Sequence, residues 1–254
     1  MAERPVTALN PAELLAHQTR VLERFSGEQV LTEPPRDAIE FIERSKEAGF
    51  TFQLYLEPTA VLSQDSNYPG WTVRFGSWLY EQISQGRVSP DAIRLSPGWR
   101  AMEAIQKPNH DGGNQLYESD ALAPILEKLR SSGHIAVPDH CKHIPSISRF
   151  GVSPKEIIGP VVAVSSELLR VKPENRLDLP SVASWSFRGN TEHPEWSKTT
   201  TWEWFENKFG SDYRLIGGRS AGGGGLGNVD YGWSGSHVGG VGFRLSASFL
   251  SSKP

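Results

Sequence analysis

From Gly217 to Gly240 the chain is mostly Gly, Ser, Ala, Asn and Asp, yet Leu226, Val229, Tyr231, Trp233 and Val238 recur through it. A flexible linker would lack aromatic and β-branched residues throughout. Scattered anchors among small residues predict a folded, loop-rich surface instead. The stretch is preceded by an aromatic block, Trp202, Trp204, Phe205 and Phe209, of which Trp202, Trp204 and Phe205 are expected in the core. It is followed by a compact apolar segment, Val241-Gly242-Phe243-Arg244-Leu245.

This pattern resembles the variable region of diversity-generating-retroelement variable proteins, which are built on a C-type-lectin-like fold of the formylglycine-generating-enzyme type. Gly242-Phe243-Arg244 resembles the family's closing strand, and Gly217-Gly218 and Trp233 match its upstream Gly-Gly step and Trp. In that family a reverse transcriptase randomises template adenines, so asparagine codons become codons for many other residues. Such randomisation cannot produce Lys, Glu, Gln or Met, and none of these occurs from Gly217 to Gly242. The resemblance therefore implies diversified positions at Arg219, Ala221, Gly222, Gly227, Asn228, Asp230, Tyr231, Gly232, Ser234, Gly235, Ser236, His237, Gly239 and Gly240. Leu226, Val229, Trp233, Val238, Val241, Gly242, Phe243 and Arg244 are implied scaffold, with Trp233 and Phe243 as buried anchors. Tyr231 is the expected contact anchor, because Tyr offers large area at low entropic cost.

The bulk properties bound what else the chain can be. At 254 residues it has ample length for a buried core, and 37% apolar residues with eight Trp and eleven Phe predict a folded protein. The formal net charge of −3, with both signs mixed, gives no electrostatic argument for nucleic-acid or membrane-surface binding. Cys141 is the sole cysteine, so no internal disulfide is possible. The first residues lack a long apolar core and carry Glu3, unlike a secretory signal, and no apolar run is long enough to span a bilayer. The default expectation is a soluble, cytoplasmic protein.

Taken in order, the chain opens on helix signals. Asn10-Pro11-Ala12-Glu13 is an N-cap, a first-turn proline and a carboxylate, and Gly27 is the stop; a second helix is expected from Arg36 to Ala48. Phe50 to Leu56 alternates as a strand does. Trp71 to Ile83 reads as strand into helix, Ser119 to Arg130 as a helix regular from Pro124, and His134 to Val137 as a short strand. Ser153-Pro154-Lys155-Glu156 is a capping signal, and Gly159-Pro160 predicts that the helix after it is broken or short. Trp185 to Phe187 is assigned to a strand. The composition shift predicts an α+β chain: a helix-rich part at 1–115 and a lectin-like domain at 116–254, with its variable region at about 217–241.

One cluster carries enzyme-like chemistry. Pro138-Asp139-His140-Cys141-Lys142-His143, with His134 nearby, holds zinc donors and a Cys–His pair. Adjacent His140 and Cys141 with no second cysteine argue against a structural metal site, and on a strand His140 and Cys141 would face opposite sides. Pro173-Glu174-Asn175 has the wrong order for a calcium–sugar motif, and Gly222 to Gly225 lacks the Gly-Lys-Ser/Thr that a phosphate cradle requires. No cofactor or metal is expected. The leading expectation is a non-catalytic binding protein whose partner is a macromolecule, a protein in the first instance, with neither nucleic acid nor membrane involved. An enzyme using Asp139 to His143, and an assembly subunit, are the alternatives.

Overall fold

The computed structural model describes residues 10–27, 33–220 and 225–249. The chain forms α1 (Pro11–Ser26), α2 (Arg36–Glu47), β1 (Phe52–Glu57), β2 (Ala60–Val61), α3 (Ser77–Ser84), β3 (Arg94–Leu95), β4 (Gly98–Glu103) and α4 (Ala123–Ser131). There follow α5 (Pro154–Glu156), a π turn (Ile157–Val161), α6 (Val162–Leu168), β5 (Arg176–Asp178) and α7 (Val182–Thr191). The remaining strands are β6 (Trp202–Phe209), β7 (Tyr213–Gly217), β8 (Val229–Trp233), β9 (Val241–Gly242) and β10 (Ser246–Ser248).

The helix signals act as their chemistry dictates. The Asn10 side chain accepts from the Ala12 N–H, and Gly27 closes α1 in the left-handed region at φ 78°. Ser153 and Glu156 form a reciprocal capping box at α5. Pro160 has no N–H to give, and the helix there widens into the π turn before resuming as α6. The expected break is real, and its form is a π turn.

Two strand expectations are overturned. Trp185 to Phe187 lies inside α7, whose residues Val182 to Gly189 are all buried, so neither a period of two nor of 3.6 shows in the sequence. Its start is set by Ser181, which accepts from the Ser184 N–H. His134 to Val137 is no strand either: the Ala136 N–H is taken by the Glu156 carboxylate rather than by a ladder partner. Before α3, Trp71 to Gly76 is likewise irregular.

Three antiparallel assemblies result. One four-stranded sheet has the order β1-β4-β10-β5, a second runs β8-β7-β6-β9 with only β6 and β9 parallel, and β2 pairs with β3. In the first sheet Ala101 of β4 sits opposite both Leu54 of β1 and Ala247 of β10. The boundary expected near residue 115 therefore divides a hydrogen-bonded sheet. Helices α1 and α2 bury Val21, Leu22, Phe25, Ala38, Phe41 and Ile42 in a core shared with Phe52, Trp185, Trp204, Phe243 and Phe249. Phe41 meets Phe52 and Phe249 edge-on, with ring centroids 5.0 and 5.5 Å away, so the second helix packs on both β1 and the residue after β10. The fold is α+β. No helix among the described residues is long and apolar enough to cross a membrane.

Candidate ligand-binding surface

Beneath the glycine-rich strip lies a buried ionic lattice. Glu203 stands within the aromatic block on β6 and is wholly buried, as is Arg244 of the Gly-Phe-Arg segment. The Arg244 guanidinium donates to both Glu203 oxygens at 2.9–3.1 Å and lies 3.7 Å over the Trp196 ring. Tyr117 Oη and Trp185 Nε1 complete the set of donors to Glu203 at 3.0 and 2.9 Å. Burial alone would raise the Glu203 pKa; Arg244, Lys107 and the Tyr117 hydrogen bond reverse that and hold it below the usual carboxylate range. A second buried guanidinium, Arg149, bridges Glu103 and Asp120. Burial presses on the Arg149 charge, but those two carboxylates raise its pKa well above the ordinary value.

Lys107 ties this lattice to the strip. Its Nζ donates to the Thr201 and Gly218 carbonyls at 2.6 and 2.7 Å. Burial lowers its pKa to about 7, against the pull of Glu203, and a neutral amine has two N–H groups for those two carbonyls. Gly218 has φ 95°, and a Cβ there would stand 2.8 Å from Lys107 Nζ and 3.0 Å from the Trp185 ring. Only glycine fits this step.

The described residues of the strip are held chiefly by their backbone. The Gly227 carbonyl accepts from Gly76 N, the Asn228 carbonyl from Gly218 N, and Ser220 N donates to the Thr199 carbonyl. Further along, the Val238 carbonyl accepts from Gly151 N, the Gly240 carbonyl from Trp202 N, and Ser234 N donates to the Asp212 carbonyl. Most of these bonds do not depend on which side chains the strip carries. Phe243, Leu226 and Val241 are buried below as expected.

One buried-anchor expectation fails, at Trp233. Trp233 is 50% exposed and Val238 is exposed as well. The reason is topological: β8 is an edge strand, and the Trp233 ring folds over the turn at Gly235, where a Cβ would come within 2.9 Å of it. Among the expected variable positions, Arg219, Asp230 and Tyr231 are exposed, and Asn228, Gly232, Gly235, Ser236, His237, Gly239 and Gly240 are partly so. Gly227 and Ser234 are buried instead. A Cβ at Gly227 would lie 2.0 Å from the Arg74 carbonyl, and one at Gly232 would lie 2.6 Å from the Trp204 ring, so neither has room for a larger residue. Ala221 and Gly222 lie outside the described residues.

What the strip exposes is aromatic. Tyr231, 42% exposed, stacks on Phe209 with centroids 4.1 Å apart, and Trp78 of α3 runs parallel to both at 6.0 Å. Tyr213 meets Tyr231 edge-on at 5.5 Å. Thus Phe209, itself packed against the core, supports Tyr231 together with Trp78 and Tyr213. These partners come from β6, β7 and α3, and nothing in the sequence announces their meeting.

The chain matches no family model, no curated protein and no solved structure.

The enzyme-like cluster disperses in the fold. Asp139 to Cys141 is a 3-10 turn, not a strand. Asp139 pairs with Lys142 at the surface, His134 bonds the Ser132 hydroxyl, and His143 lies against Gly113. His140 Nε2 and Cys141 Sγ both reach the His237 carbonyl, at 3.1 and 3.3 Å, while the His237 ring bonds the Glu156 carboxylate. Burial pushes the Cys141 thiol up, only partly offset by Arg130, away from the thiolate a nucleophile needs. Among the described residues no three His, Cys, Asp or Glu side chains gather to hold a metal ion. The cluster clamps the strip at His237.

Proposed function

We propose that the chain is a binding protein: a lectin-like scaffold of the diversity-generating-retroelement type that presents the surface from Arg219 to Gly240 to a macromolecular partner. One observation carries this reading. The strip is fixed largely through main-chain hydrogen bonds and buried anchors, while Arg219, Asp230 and Tyr231 project from it. Such a surface can change side chains with small effects on stability, because exposed substitutions away from special features usually stay within about 0.5 kcal/mol. Loops and edges held by a rigid scaffold are where recognition concentrates. The buried Gly242-Phe243-Arg244 segment, with Arg244 locked on Glu203, supports the role its resemblance assigns to it.

The test is genetic. DNA flanking the gene should contain a near-copy of the segment encoding 217–245 beside a reverse transcriptase gene, differing at adenines of the copy. The differences should fall on Asp230, Tyr231 and Arg219 and should avoid Gly227. A genome without such a copy would remove the retroelement and leave the strip as an ordinary binding loop.

A further inference from the structure

A cavity of about 380 Å³ opens beside the end of β8, between the π turn and the β6–β7 hairpin. Its polar lining is Lys155, Lys208, Arg214, Ser211, Asp212 and Ser234. Three cations thus face one carboxylate, and Asp212 already accepts from the Ser211 hydroxyl at 2.6 Å. Lys155 and Lys208 are exposed, and no ion pair engages either among the described residues. Arg214 is partly buried and donates to the Glu206 carbonyl. An aromatic ring adjoins it: Lys155 Nζ stands 6.0 Å over the exposed Trp233 ring.

All three cations lie outside the segment 217–241, whereas Trp233 and Ser234 belong to it. We propose that this pocket seats the acidic side chains of a protein partner, a constant electrostatic anchor beside a surface whose side chains change. It rests on the binding reading above, and it supplies the partner's chemistry. Opposite charge across an interface fixes register and speeds encounter, and the neighbouring Trp233 ring adds contact area at low entropic cost. An acidic peptide fits better than a nucleic acid. The net charge is −3, and the pocket has room for a few side chains, whereas a phosphate backbone needs an extended positive track.

The experiment is fluorescence anisotropy with a labelled peptide of alternating Glu and Tyr. Its Gln-for-Glu counterpart and a single-stranded DNA of matching length serve as competitors. The native protein should bind the Glu peptide in preference to both, more weakly as salt is raised from about 50 to about 150 mM, where exposed charges are increasingly screened. Lys155→Glu combined with Lys208→Glu should weaken binding by about tenfold or more, since two attractions become repulsions, while Lys128→Glu on α4 should leave it unchanged. If the double variant melts below the native protein, the single variants Lys155→Gln and Lys208→Gln are read instead, each with a severalfold loss expected. Trp233→Ala should also weaken binding. Equal binding by native and charge-reversed protein, absence of binding, or a preference for DNA would overturn the proposal. A template copy without peptide binding sinks the pocket alone; peptide binding without a copy sinks the retroelement alone.

Discussion

Arg244 and Glu203 show what a single residue contributes here. Each ion is fully buried and multiply hydrogen-bonded to the other, so removing one partner strands the other's charge out of water. Arg244→Met or Glu203→Gln should therefore cost about 3–5 kcal/mol in urea unfolding, the range for breaking a buried pair. A loss under about 1 kcal/mol, typical of an exposed pair, would show that the lattice does not hold the scaffold. Lys107 gives a pH-dependent counterpart. Its folded pKa, lowered to about 7, lies below the ordinary 10.5, so between these values the unfolded chain binds the extra proton and stability rises with pH. Melting temperatures compared with Lys107→Met should show the native protein gaining on the variant from pH 7 to pH 9.5. A constant difference would place the lysine's proton equally in both states.

At the scale of the element, β8 separates what may vary from what may not. Asp230 and Tyr231 face solvent on the edge, whereas Gly232 lies against the Trp204 ring and Gly227 against the Arg74 carbonyl. Asp230→Ser and Arg219→Ser should leave stability within about 0.5 kcal/mol, while Gly232→Val should cost about 1–3 kcal/mol by overpacking. Thermal unfolding of the three variants checks this, and an unperturbed Gly232→Val would dissolve the distinction. The helices were legible where caps and stops speak locally, as at Asn10, Gly27 and Ser153. Helix α7 was not, because burial on every face erases the periodicity that a sequence pattern relies on. The pairing of Tyr231 with Phe209 and Trp78 was equally hidden, since it joins residues far apart in the chain. One signal for Glu203 was available: an acid set among Trp202, Trp204 and Phe205 must be either exposed or paired.

For the whole molecule, the first and last described strands meet in one sheet: β4 lies between β1 and β10, and the core runs from Val21 to Phe249. A fragment of residues 116–254 lacks both β1 and β4, leaving β10 without its β4 neighbour and the buried Arg149 without Glu103. It should show no cooperative melting, whereas the full chain should. A fragment that melts cooperatively would instead support the boundary near 115. By itself the sequence determined the helix limits, the need for a buried core, and a glycine-rich surface pinned by apolar anchors, because caps, turns and composition are local physics. Only the tertiary structure decided that Trp233 is exposed, that His140 and Cys141 clamp the His237 carbonyl, and that Lys155, Lys208 and Arg214 share one pocket. Those outcomes depend on which strand becomes a sheet edge and which distant side chains it meets, and long-range packing sets both.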